Sequence, residues 1–170
     1  MDVVKAVADR RSIRAYQDKP IEKDKLKRIL EAGRQAPSAG NRQPWKFVVV
    51  TDPATRKKLA VAAREQAFVA EAPAVIVGCA VQTDRVMLCG QSCYPIDVAI
   101  AMTTMSLAAT AEGLGTCWIG ALHEDQVKEI LGIPEEVRVV ELMPIGYPAS
   151  NPEARPRKPI EEFVVFDGWS

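Results

Sequence analysis

The chain has 170 residues, with 22 lysines plus arginines balanced by 22 aspartates plus glutamates. This is the usual size of one domain and enough to bury a hydrophobic core without metal or disulfide staples. The neutral sum excludes a global field that would draw the chain to nucleic acid or an anionic membrane, so any anion it binds must meet a local cluster.

In chain order, Val3, Val4, Val7 and Ala8 fall at helical spacing over residues 2–9. The same stretch, "MDVVKAVADR", has no charged-then-apolar signal pattern, so a cytoplasmic location is expected. "RRSIRAYQDKP" follows, and Lys23 to Ala36 again reads as a helix, with Leu26, Ile29, Leu30 and Gly33 on one face. "APSAGNRQPW", 36–45, is a loop by its prolines, glycine and asparagine. "WKFVVVT", 45–51, reads as a strand, Pro53 to Ala70 as an alanine-rich helix, and "AVIVGCAV", 74–81, as a central strand apolar on both faces. The segment 82–95 is irregular. Pro95 to Glu112 is a buried helix crowded with small residues and stopped by Gly113, and its least polar run is too short to span a bilayer. "TCWIGA" predicts a short strand, His123 to Leu131 a helix and "VRVVELMPIGYP" a long strand. The tail ends in strand-like "IEEFVVF", which could complete its own sheet or reach a partner's.

Cys79, Cys89, Cys93 and Cys117 are expected as free thiols in a cytoplasmic chain. "CGQSC" matches neither a redox motif nor half a zinc site, and a single histidine is present, so no metal site is expected.

The concentration of arginine in "RRSIR" has two readings. It is either a solvated surface or an anion clamp, because in extended chain Arg10, Ser12 and Arg14 share one face while Arg11 and Ile13 share the other. Guanidinium forks suit phosphate or a pair of ring acceptors, and "ARPRKP" carries a second knot in Arg155, Arg157 and Lys158. Together they suggest one nucleotide-like ligand. A Rossmann site is excluded, since "GLGTCWIG" misses G-x-G-x-x-G and runs from helix into strand, and no P-loop is present.

"RRSIRAY", "APSAGNRQPWKFVVV", "GLGTCWIG" and "RPRKPIEE", in that order between about Val4 and Phe163, resemble the flavin-dependent nitroreductase family, in a short form. The resemblance implies an α+β fold, with a mixed central sheet flanked by helices, in one domain over residues 1–170. It also implies a homodimer with FMN bound between the subunits and a C-terminal arm, about 151–170, exchanged with the partner. Carried onto this chain, it puts Arg10, Ser12 and Arg14 on the flavin. Arg10 or Arg11 would contact the phosphate, and Arg14 would lie near the pyrimidine edge. Pro37, Ser38 and Ala39 would line the ring from the other subunit, with Asn41 and Gln43 supplying amides. Ala39 stands where many relatives carry a hydroxyl. Ile119 and Gly120 would sit at flavin N5, and Arg157, with Arg155 or Lys158, at the phosphate. Trp45 and Trp118 are expected in the core, and Cys89 and Cys93 near the pocket mouth.

The implied activity is hydride transfer from NADH or NADPH through FMN to a nitroaromatic, quinone or similar small conjugated acceptor, in ping-pong order. Reduced flavin carries negative charge at N1 and O2, which a fixed cation stabilises; Arg14 is the residue expected there. Because the cofactor carries the chemistry, no catalytic side chain is expected. The alternatives are a same-scaffold enzyme of different chemistry, such as reductive dehalogenation, a non-catalytic flavin-binding or storage protein, and a ligand-free structural dimer.

Overall fold

A computed structural model describes residues 2–169. Helix α1 (Val3–Asp9) begins at Asp2, whose carboxylate accepts the Val4 N–H at 3.2 Å. Helix α2 (Lys23–Arg34) precedes the loop to strand β1 (Trp45–Val50). Asp52 caps α3 (Pro53–Ala62) by accepting both the backbone N–H and the hydroxyl of Thr55 at 2.7 Å. After the short α4 (Phe68–Glu71) come β2 (Ala74–Ala80) and the long α5 (Cys93–Ala111). Strand β3 (Gly115–Thr116), α6 (Glu124–Leu131) and β4 (Arg138–Gly146) complete the framework.

The sheet runs β1-β2-β4-β3 with every neighbouring pair antiparallel. A single parallel bridge, Ser12 to Thr116, extends it beyond β3, and it is the one parallel pairing among the described residues. β2 is central and buried along its whole length, as its two-sided apolar sequence requires. One face of the sheet carries Val75, Val77 and Leu142 and packs with Leu59 and Ala62 of α3 and Val127 of α6. On the opposite face Ile76, Met143 and Ile145 meet Ile29 of α2 and Val98, Met102 and Met105 of α5. Helices on both faces of one sheet make the architecture α+β.

Two expectations change, and one open alternative narrows. The helix predicted over 53–70 breaks into α3 and α4, with Arg64 and Glu65 at φ +59° and +58°. Unbroken, it would extend about 27 Å, longer than the roughly 20 Å of the six-residue β1 it follows. The break instead returns Val69 to the core beside Leu59 and Ala62.

"TCWIGA" forms only the end of β3 and then an isolated bridge between Ile119 and Leu142. Pro144 lies opposite the gap and has no N–H to continue the ladder; its carbonyl accepts the Cys117 N–H at a long 3.4 Å.

The arm does not complete its own sheet. It holds a 3-10 turn at Ile160–Glu162, and Phe163, Phe166 and Trp169 are exposed. Among the described residues no helix is long and apolar enough to cross a membrane.

Candidate flavin site

The "RRSIR" segment is stitched to the end of the sheet. The Ile13 N–H donates to Thr116 O at 2.9 Å, and the buried Tyr16 hydroxyl reaches Ile13 O at 2.9 Å and Pro144 O at 3.1 Å. Gln17 N–H to Tyr147 O and Ala149 N–H to Ala15 O, both 2.9 Å, extend the seam. Behind it, the Thr116 hydroxyl meets Ser106 of α5 at 2.7 Å in a buried pair. With Ile13 fixed inward, Arg10, Ser12 and Arg14 on the alternate face must point out.

They face a cleft of about 330 Å³ lined by Arg10, Arg11, Ser12 and Arg14 together with Pro152, Glu153, Arg155 and Arg157. Segments some 140 positions apart in the chain thus bring five arginines and one carboxylate to one concavity. Elsewhere, Arg28, Arg34 and Arg138 are paired with Glu112, Glu31 and Glu124. None of the five cleft arginines is among the salt bridges of the described residues. Guanidiniums free of salt bridges, in excess over the one carboxylate and beside a serine hydroxyl, form the donor set for a phosphate monoester such as that of FMN.

The arginines differ in setting. Arg11 does not point wholly away from the cleft; its guanidinium folds back to donate to Ala8 O at 2.6 Å and Arg10 O at 3.0 Å, while it still lines the wall. Arg14 is exposed, with its guanidinium 5.9 Å from the Phe68 ring centroid. Lys158 does not line the cleft and lies 3.5 Å from Glu162.

Burial pushes the Tyr16 hydroxyl well above the usual phenol range; Cys117 adds to the shift and Arg14 opposes it. The Cys117 thiol is likewise raised by burial, against the pull of Arg14 and Arg10. The cleft's charge therefore reaches the inner side of the segment as well.

Ile119 is buried and its N–H is already donated to Leu142 O at 2.9 Å. Gly120 is exposed, and a side chain placed there would find only Trp118 Nε1, at 3.9 Å. Of this pair, Gly120 offers the open backbone. Trp118, expected in the core, is 46% exposed, because the interrupted ladder leaves its face of the segment uncovered. Trp45 is partly buried and stacks on Phe47 with ring centroids 6.3 Å apart.

The loop carrying Pro37, Ser38, Ala39, Asn41 and Gln43 stands apart from the arginine cleft and contributes nothing to its lining. It is rigidly built all the same. Ser38 Oγ accepts the Gln43 N–H at 2.9 Å, Asn41 and Gln43 adopt φ of +55° and +51°, and the Gln43 amide meets Asn41 Oδ1 at 3.2 Å. The Ala39 N–H donates to Asp97 Oδ1 at 2.9 Å. Sequence reading passed over Asp97, although it is the one charged residue of α5, a signal that could have marked it. All four cysteines are free, Cys93 buried and Cys89 exposed.

The model of the family described as "Nitroreductase family" matches residues 7–91 and 66–147. The chain is 33% identical over 197 residues to an NADH dehydrogenase of Thermus thermophilus, covering 98% of this chain and 96% of that one. It is 31% identical to the FMN reductase [NAD(P)H] of Bacillus subtilis, over 94% of this chain and 71% of the relative. Its fold superposes with a TM-score of 0.90 on the NADPH:FMN oxidoreductase of Vibrio harveyi in complex with NAD+, at 32% identity, covering 99% of this chain and 78% of the other.

Proposed function

The chain belongs to the nitroreductase family and is on that ground an NAD(P)H-dependent flavin oxidoreductase; from this premise we propose that it passes a hydride from NADH or NADPH through FMN to a nitroaromatic, quinone or similar conjugated acceptor. The observation that carries the reading is the meeting of "RRSIR" and "ARPRKP" in one cleft of unpaired arginines. When bound, FMN would supply the redox chemistry, a hydride acceptor and donor between coenzyme and oxidant.

The protein's part is to bind and orient. Arg10, Arg11, Arg155 and Arg157 hold the phosphate, with Lys158 outside that set, and the Ser12 hydroxyl adds a donor. Arg14, two residues beyond the Ser12–Thr116 bridge and lining the cleft, would supply the fixed cation for the pyrimidine edge. The Gly120 N–H is the backbone donor offered to N5, while Ile119 anchors that segment to β4. Coenzyme and acceptor would take turns on one open face of the ring, giving ping-pong kinetics.

The working unit in this reading is a homodimer in one compact domain per chain. Pro37, Ser38 and Ala39, with the Asn41 and Gln43 amides, would close the site from across the interface. Two features support exchange of the arm at 151–169, with Arg155 and Arg157 staying on their own chain's cleft and the end of the arm reaching the partner: β1 is an edge strand of the sheet, and Phe163, Phe166 and Trp169 project from the arm uncovered. Ser170 lies outside the described residues.

Purified protein should be yellow or take up added FMN, and anaerobic NADH or NADPH should bleach it within catalytic times. Failure to take up FMN sinks the proposal. A bound flavin that neither coenzyme reduces would point to flavin storage or to another electron donor.

A further inference from the structure

Glu141 is fully buried on β4, and both its carboxylate oxygens lack a hydrogen-bond partner. It pairs with Gly78 of β2, so the two residues share a face, and a side chain built on Gly78 would point at Val98 and Met102 of α5. The carboxyl therefore projects between sheet and α5. On the other side of β4, the antiparallel bridge of Ile119 to Leu142 sets Gly120 beside Glu141. A lone buried acid thus flanks the backbone to which the proposed function gives flavin N5.

Resting on that reading, we infer that Glu141 is a positioning residue that links the reduction of the flavin to the binding of one proton. In a buried, low-dielectric setting two negative charges repel over longer distances than in water. Reduction by hydride leaves an extra negative charge on the ring, so reduced flavin favours the neutral carboxyl and, by reciprocity, the neutral carboxyl favours reduced flavin. The two electrons and one hydrogen come from NAD(P)H. Where Glu141 is ionised before reduction, one further proton moves from solvent to its carboxylate.

Among the described residues no hydrogen bond or ion pair compensates the Glu141 carboxyl. β2 offers Gly78, α5 offers Val98 and Met102, and the segment beside β4 offers Trp118 and Gly120. The titratable groups of α5 all lie in its first turns: Asp97 accepts the Ala39 N–H, Tyr94 lies beneath the Arg138 guanidinium, and Cys93 is a buried free thiol. Burial alone holds the Glu141 carboxyl up, to about 9, so it is neutral at pH 7.

The test compares the midpoint potential of bound flavin from about pH 6 to 10 in the FMN-loaded wild type, Glu141→Gln and Glu141→Met. The inference expects the three to run parallel near neutrality. Above about pH 9 the wild type falls below both variants and takes up one more proton per flavin on reduction. Potentials that stay parallel across the range in flavin-loaded protein overturn it and leave the oxidoreductase reading standing. A wild type that binds no flavin overturns both. If Glu141→Gln does not fold, the apolar Glu141→Met carries the comparison.

Discussion

The side chain of Ile13 rests directly on the α-carbon of Gly115: a Cβ added at Gly115 would lie 2.8 Å from Ile13 Cβ and closer still to its Cγ1. This contact fixes how near "RRSIR" lies to β3, and hence where Arg10, Ser12 and Arg14 emerge. Gly115→Ala should push the segment outward, cost about 1–3 kcal/mol by overpacking, and weaken FMN binding although no ligand-facing residue has changed. Urea unfolding and FMN titration on the same preparation check it. An alanine variant of unchanged stability and FMN affinity would show that the seam yields without consequence.

The division of the arginines can be read by comparing FMN with riboflavin, which lacks the phosphate. Arg10→Ala or Arg157→Ala should weaken FMN by roughly 10- to 100-fold, the worth of a charge-assisted hydrogen bond of about 1.5–3 kcal/mol, and leave riboflavin affinity nearly unchanged. Arg14→Ala should affect both ligands alike and lower the flavin's midpoint potential. Lys158→Ala, which removes the partner of Glu162 outside the cleft, should stay within about twofold of wild type for both. Equal losses for FMN and riboflavin in Arg10→Ala would move that residue from the phosphate to the ring.

Much of the fold was legible because its signals are periodic. β2 announces itself as a seven-residue apolar run and α2 by one apolar face, and both lie where the pattern puts them. What was not legible depends on partners distant in sequence. Nothing local shows that Pro144 will interrupt the ladder opposite Cys117, leaving Trp118 exposed, or that a helix must break at Arg64 to return Val69 to the core. The arginines of "RRSIR" were visible as a cluster, but a clamp and a solvated patch have the same composition. Only the arrival of Arg155 and Arg157 in the same cleft separates them. In the sequence Glu141 is only one charge within a strand-like run and draws no attention, because its isolation is a property of packing against Gly78 and α5.

The turn between α3 and α4 holds Arg64 and Glu65, neither a glycine, in the left-handed region at φ +59° and +58°. Each is strained there by roughly 1 kcal/mol, offset in part by the entropy that glycine restores to the unfolded chain. Arg64→Gly and Glu65→Gly should therefore be neutral to stabilising by up to about 0.5 kcal/mol. Arg64→Val should cost more than 1 kcal/mol, because a β-branched side chain fits that region worst. Chemical denaturation with an unchanged m-value is the measurement, and a glycine variant less stable than wild type by a full kcal/mol would contradict the expectation.

Glu141 also ties stability to pH, in the direction opposite to a paired carboxylate. The folded protein keeps its proton to about pH 9, whereas the unfolded chain releases it near the ordinary value of 4.5. Below that value the residue brings no pH dependence. Between the two, the unfolded state binds fewer protons than the folded state, so stability falls as pH rises, by at most about 1.4 kcal/mol per unit, and levels off once the folded carboxyl ionises. Glu141→Gln, which cannot ionise, should lose this slope, so its advantage over wild type should widen by several kcal/mol between about pH 5 and pH 9. Glu141→Leu should show the same pH trend, since an apolar side chain removes the buried acid altogether. Urea midpoints at about pH 5, 7 and 9 for the three proteins give the comparison, and curves that keep a constant separation would place the Glu141 carboxylate in contact with a stabilising partner.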